Sequence, residues 1–254
     1  PEKSPKHSFR LVFKNEYGPT KLRYPFFGDD AISIFNTIIL RAGFGNTWIH
    51  WSHSERSMAQ YLRDRWTKDT QRAIGHYSSH GNYMHLFING LYWGLYNPSE
   101  RMDSDFAESY LFGDEKDFDV IKDYSEAIDG EITAWNTMMS MANAGLVQND
   151  AYQLIQGNNP DGTPNPEFEA MVDVVSLADY MILNFYGGNW DWDHHNWVAI
   201  RNRVTPGKGF QFFCWDAEHM VESLNANILT ENNDKCPSRV FQQLRQNEDF
   251  LRLF

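Results

Sequence analysis

Asp191 and Asn196 in the stretch NWDWDHHNW (189–197), and Asp216 and Glu218 in FFCWDAEHM (212–220), are the residues whose types and spacing could do chemistry. Carboxylates and an amide gathered among tryptophans are costly to bury unless a cation or a proton-transfer step uses them. Asn196 follows Asp191 by five positions, and Asp216 lies on what reads as the neighbouring strand. The set offers oxygen ligands only, which suits Mg²⁺ or Mn²⁺, and such sites usually hold phosphates.

The spacing fits the arrangement in which a loop Asp accepts a hydroxyl proton, an Asn five residues on holds metal, and a later Asp bridges metal and nucleotide. Asp193 is the weaker neighbour, set against the solvent-exposed role of a loop aspartate. His194 and His195, with His50 and His53, raise a transition-metal alternative. Adjacent residues on a strand point to opposite faces and no third ligand has a place, so one histidine orienting Asp191 is the better expectation. Arg41, Arg63 and Asp64 read as buried ion-pair formers.

These residues need elements to hold them. Alternation predicts a strand over Ser8–Lys14, and an apolar run over Ile32–Leu40 ends at Arg41. Helical spacing of Met58, Leu62, Trp66 and Ile74 predicts one long helix over Ser54–Ile74. Asn89-Gly90 between β-rich runs predicts a type I′ hairpin of Tyr83–Ile88 with Leu91–Tyr96, ended by Pro98. A helix over Ser99–Gly113 and a strand over Asp117–Lys122 follow. Further helices are expected over Ser125–Ala144, Asp150–Gln156 and Phe168–Tyr186, then a hairpin of Trp197–Asn202 with Gly209–Trp215 through RVTPGKG. The chain closes on QLRQNEDFLRLF, read as one amphipathic helix without a capping signal. The fold class is therefore α+β, strand-rich first and helical later.

The 254 residues, 42% of them hydrophobic, suffice for one large domain or two lobes sharing a cleft. A net charge of −12 repels a polyanion, so nucleic acid is not an expected partner. Cys214 and Cys236 allow at most one disulfide and show no zinc spacing. No run is long enough to span a membrane. The opening without Met and the uncapped close read as a segment of a longer protein.

Beyond spacing, the wording of several segments resembles the CotH kinase family, named for a spore-coat protein. The resemblance runs through KHSFRL (6–11), EYGP (16–19), LRAG (40–43), YLRDR (61–65), LFINGLYWGLYNPSERMD (86–103), the two acidic segments and FQQLRQNEDFLRLF (241–254). It implies a two-lobed, atypical protein-kinase-like fold, with 1–100 as the strand-rich part, 101–254 as the helical part and the catalytic hairpin at 189–218. It implies transfer of phosphate from ATP, with Mg²⁺ or Mn²⁺, to Ser or Thr of a partner protein at the spore or cell surface or outside the cell.

By the same resemblance Asp191 is the catalytic aspartate, and Asn196, Asp216 and Glu218 hold metal. Lys6 and Glu100 bind the nucleotide, Lys6 at its phosphates and Glu100 where the chain passes between lobes. Glu218 stands where many members have Asp, and the strand pair that precedes KHSFRL in the family is absent. Transfer of AMP or an amino acid on the same fold, a glycoside hydrolase with paired carboxylates, and a non-catalytic surface or coat adhesion protein are the alternatives.

Overall fold

The computed structural model describes residues 4–45, 47–204 and 207–254. Strand β1 (Phe9–Val12) pairs antiparallel with β4 (Thr37–Arg41), beyond a short ribbon of β2 (Leu22–Arg23) and β3 (Ile34–Phe35). The Asn89-Gly90 turn forms as expected, with φ of +50° and +79°, the double positive φ that a type I′ turn requires. It joins β5 (Met84–Ile88) to β6 (Leu91–Glu100), and the first sheet runs β1-β4-β6-β5.

The hairpin ends before Pro98, as expected, but the strand β6 runs on through it. The ladder with β5 stops at Tyr96, and Pro98 then lies opposite Leu40 of β4 with only an isolated Gly81–Ser99 bridge on its other side. A proline is tolerated where a strand has lost most of one neighbour. Phe27, Phe35, Ile38, Leu40 and Tyr96 form a small core on this sheet.

The single helix expected over 54–74 is two, α1 (His53–Met58) and α2 (Arg63–Ala73), broken where Tyr61 takes φ +62°. Helical spacing continues across the break, which is why periodicity missed it. Leu62 and Trp66 face outward, while α2 buries Arg63, Asp64, Arg65, Thr67, Lys68 and Gln71. Its polar face is the inner one.

The second sheet runs β10-β9-β7-β8, from β7 (Phe118–Lys122), β8 (Glu126–Asp129), β9 (Trp197–Asn202) and β10 (Gln211–Cys214), all antiparallel. Strand β8 occupies the start of the helix expected from Ser125. Asp123, Tyr124 and Ser125 all take positive φ and fold the chain back on β7, so α4 (Thr133–Ala144) starts later.

Helix α3 (Ser104–Tyr110) is shorter than expected because Asp103 caps it, accepting from Phe106 N. After α5 (Asn149–Ile155), α6 (Val174–Gly187) also starts late, at the Asp173 cap, and residues 168–173 are not helical. The closing segment is α7 (Pro237–Leu244) and α8 (Glu248–Leu253), separated by Asn247, which accepts from Asp249 N and Phe250 N. That asparagine is a capping signal the sequence reading missed. The RVTPGKG turn lies partly outside the described residues.

Both faces of the second sheet are covered, which is why β9 is apolar from Trp197 to Ile200. Trp197, Ala199, Phe212 and Cys214 face a large helical core in which Trp135 stacks on Trp197 at 5.0 Å. Val198, Ile200 and Phe213 face Met102 and Phe106. The edge of β10 is closed by a side chain: Gln71 of α2 donates to Phe212 O at 2.8 Å and accepts from Cys214 N at 3.1 Å. Both cysteines are free, so the disulfide that the sequence left open is not formed. Among the described residues no helix is long and apolar enough to cross a membrane.

Candidate active site

The register of β9 with β10 sets Trp197 opposite Cys214. The residue before the first and the residues after the second therefore emerge at one mouth of the hairpin. Asn196 and Asp216 both stand there, each in the left-handed region, with φ of +66° and +53°. Asn and Asp tolerate this conformation better than other non-glycine residues, and backbone strain of this sort gathers at functional sites.

Residues 188–196 form the loop between α6 and β9. Gly188, at φ +55°, caps α6, and Asn189 ties back to Asn184 at 2.9 Å. Asn196 Nδ2 donates to Asp191 O at 2.7 Å and to Asp191 Oδ2 at 3.2 Å, while Asn196 N donates to Asp123 Oδ1 at 2.8 Å. Asp191, expected to be catalytic, and Asn196, expected to hold metal, are thus in direct contact. His195 Nε2 lies 3.3 Å from Asp191 Oδ1, as expected of an orienting histidine. His194 and His195 sit in the loop beside Tyr124 rather than on a strand.

Asp193, expected at solvent or metal, is fully buried. Its Oδ1 accepts from Ser238 N at 3.2 Å, which fixes the start of α7, and burial pushes its pKa up to about 7.

The second half of the site follows β10. Glu218 N donates to Asp216 O at 2.8 Å, and Gly45 N donates to Glu218 Oε2 at 3.1 Å. The Arg41 guanidinium joins this half to the first sheet. It pairs with Asp64 and Asp216 and, at 3.0 Å, with Glu218. Asp64 also holds Lys68 Nζ at 2.9 Å and accepts from Ala217 N at 3.1 Å. The expected ion-pair role of Arg41 and Asp64 is borne out, and Arg63 pairs with Glu222 at 3.4 Å.

Burial works against charge on Arg41, Asp64, Lys68 and Glu218. For Arg41 and Asp64 it is outweighed by their opposite partners, so arginine is raised and Asp64 is held below the usual carboxylate range. For Glu218 burial wins, helped by the Asp216 charge, and its pKa rises well above the usual range. For Lys68 burial also wins and lowers it to about 8.

His219, which sequence reasoning quoted within FFCWDAEHM but passed over, connects the two halves. Its Nδ1 lies 3.0 Å from Glu222 Oε1, Trp190 packs on its ring, and its Nε2 lies 3.9 Å from Asp191 Oδ2. A Cβ at Gly45 would meet Glu218 Oε2 at 3.1 Å and His219 Nε2 at 3.2 Å, so glycine leaves these groups room to converge.

Two expected residues stand apart from the carboxylates. Lys6 Nζ donates to Leu95 O and, at 2.9 Å, to Ala42 O, and lies 4.5 Å from the Tyr96 ring centroid. Burial lowers its pKa. Its partners Leu95 and Tyr96, rather than Lys6 itself, line a cleft with Arg41, Tyr61 and Glu218. Glu100 is buried, accepting from His80 N at 2.7 Å and from the Tyr110 hydroxyl at 2.6 Å.

A divalent cation suits the donors at the mouth. Asp191, Asn196, Asp216 and Glu218 supply oxygen alone, and Asp216 keeps 45% of its side chain exposed toward the opening.

Comparison with curated proteins finds no match. A family model described as CotH kinase protein matches residues 2–253, from before β1 into the last turn of α8. With the match spanning nearly every element described above, the chain belongs to the CotH kinase family.

Proposed function

We propose that the chain is a kinase-like phosphotransferase that moves the γ-phosphoryl group of ATP to a Ser or Thr hydroxyl of a partner protein at a spore or cell surface. The observation that carries this reading is the emergence of the Asp191–Asn196 pair and the Asp216–Glu218 pair at one mouth of the β9–β10 hairpin.

Asp191 accepts the proton of the attacking hydroxyl, and Asn196 and His195 hold its carboxylate in place. Asn196, Asp216 and Glu218 are the residues that would hold Mg²⁺ or Mn²⁺, which when bound neutralises the charge of the transferred phosphate. Lys6 serves the nucleotide side of the cleft. Glu100 acts indirectly, by fixing the end of β6 through His80 and Tyr110 where the chain leaves the first sheet. In this reading residues 1–100 are the smaller lobe and 101–254 the larger.

Arg41, wedged against Asp216 and Glu218, favours phosphate chemistry over glycoside hydrolysis, which needs two carboxyls facing each other across an open groove.

The test is incubation of the protein with labelled ATP, Mg²⁺ or Mn²⁺ and candidate surface proteins. Asp191→Ala should lower transfer by about 100- to 10,000-fold, and Asp216→Ala should also abolish most of it. Transfer untouched by both substitutions, or none with either metal, overturns the proposal. The mass added to the product separates phosphate from AMP or an amino acid.

A further inference from the structure

Arg41 is the last residue of β4 and is only 8% exposed, yet its guanidinium meets carboxylates from two other parts of the chain. Its two ends differ. Nη1 pairs with Asp64, which is fixed independently by Lys68 at 2.9 Å and by Ala217 N at 3.1 Å. Nη2 pairs with Asp216 and Glu218 together, on the more open side. A nitrogen held between two carboxylates stands where those carboxylates would chelate a divalent cation.

We propose that Arg41 is a metal-displaceable latch: Nη2 joins Asp216 to Glu218, and a divalent cation must displace it to take both carboxylates. This rests on the metal-site reading above. Charge explains why the two cannot coexist. Asp64, Asp216 and Glu218 face Arg41 and Lys68, which leaves one negative charge over when all are ionised. A dication at Nη2 would reverse that sign and place two cations in contact where water screens poorly.

Displacement has a consequence for the cleft. Nη1 keeps its Asp64 anchor, so the freed end of the guanidinium stays at the opening, available to an anion that arrives with the metal. The latch therefore couples metal binding to phosphate binding.

Mn²⁺ binding to the protein is followed by loss of the free-ion paramagnetic resonance signal and by the unfolding midpoint, with neither nucleotide nor substrate present. Arg41→Gln should bind Mn²⁺ about 10- to 100-fold more tightly than the wild type, the worth of a charge-assisted contact no longer broken. Its midpoint should start below that of the wild type and close the gap as Mn²⁺ is added. Arg41→Lys, which keeps one charge but cannot span all three carboxylates, should fall between. Asp216→Asn in the Arg41→Gln background should remove the gain.

If Arg41→Gln does not fold, Arg41→Lys carries the test, and no rise in its affinity overturns the latch. Equal affinity in the wild type and both folded Arg41 variants overturns the latch and leaves the metal reading standing. Absence of Mn²⁺ binding in every variant removes both.

Discussion

At the scale of single residues, the same side-chain type does opposite work two positions apart. Asp191 stays partly exposed and touches Asn196 and His195, whereas Asp193 is fully buried and caps α7. The sequence placed both in one acidic cluster; only burial separates them. Burial raises Asp193 from 3.8 to about 7, so between those values the folded chain holds a proton that the unfolded chain has released. Stability from this residue is therefore full in acid and is lost as pH climbs toward 7. Asp193→Asn should keep the acceptor for Ser238 N and flatten that loss, so that unfolding midpoints measured from pH 4 to 8 fall less steeply than in the wild type. An unchanged slope would mean that Asp193 is ionised throughout. Arg41 was legible as an ion-pair former; its partnership with Asp216 and Glu218 was not, because those residues are more than 170 positions away.

At the scale of elements, caps decide where helices begin, and periodicity does not see them. Helix α6 carries the loop that presents Asp191, and it starts at Asp173, whose carboxylate accepts from Val175 N and Ser176 N. Asp173→Ala should cost about 1 kcal/mol, a drop of about 2–4 °C in the unfolding midpoint. A drop within measurement error would show that packing alone fixes this helix start. The Asn89-Gly90 hairpin was readable because its turn chemistry is local. The split of residues 53–73 was not, since Tyr61 departs from the helix while its neighbours keep helical spacing. Nor was the inward polar face of α2, which exists because Asp64 meets Arg41 of β4, Gln71 meets the backbone of β10, and Lys68 pairs with Asp64.

At the scale of the whole molecule, Asp64 is where the two sheets are joined: it holds Arg41 from the first, Lys68 from α2 and the backbone of Ala217 beyond the second. Asp64→Ala leaves two buried cations without this partner and should cost about 3–5 kcal/mol, read from denaturant unfolding. A loss below about 1 kcal/mol would show that the junction does not depend on it. Because its cationic partners hold Asp64 below the usual carboxylate range, its contribution is present above the ordinary value of 3.8 and fades as pH falls through the lower folded value. The sequence by itself determined the family, the acidic segments, the Asn-Gly hairpin and the contact of Asp191 with Asn196, because each depends on residues close in the chain or on wording that spans it. Tertiary structure alone decided that Asp193 is buried, that His219 stands between the two halves of the site, and that Arg41 occupies the carboxylates after β10. Burial and long-range charge pairing have no local signature, since they arise only when the sheets and α2 close on one another.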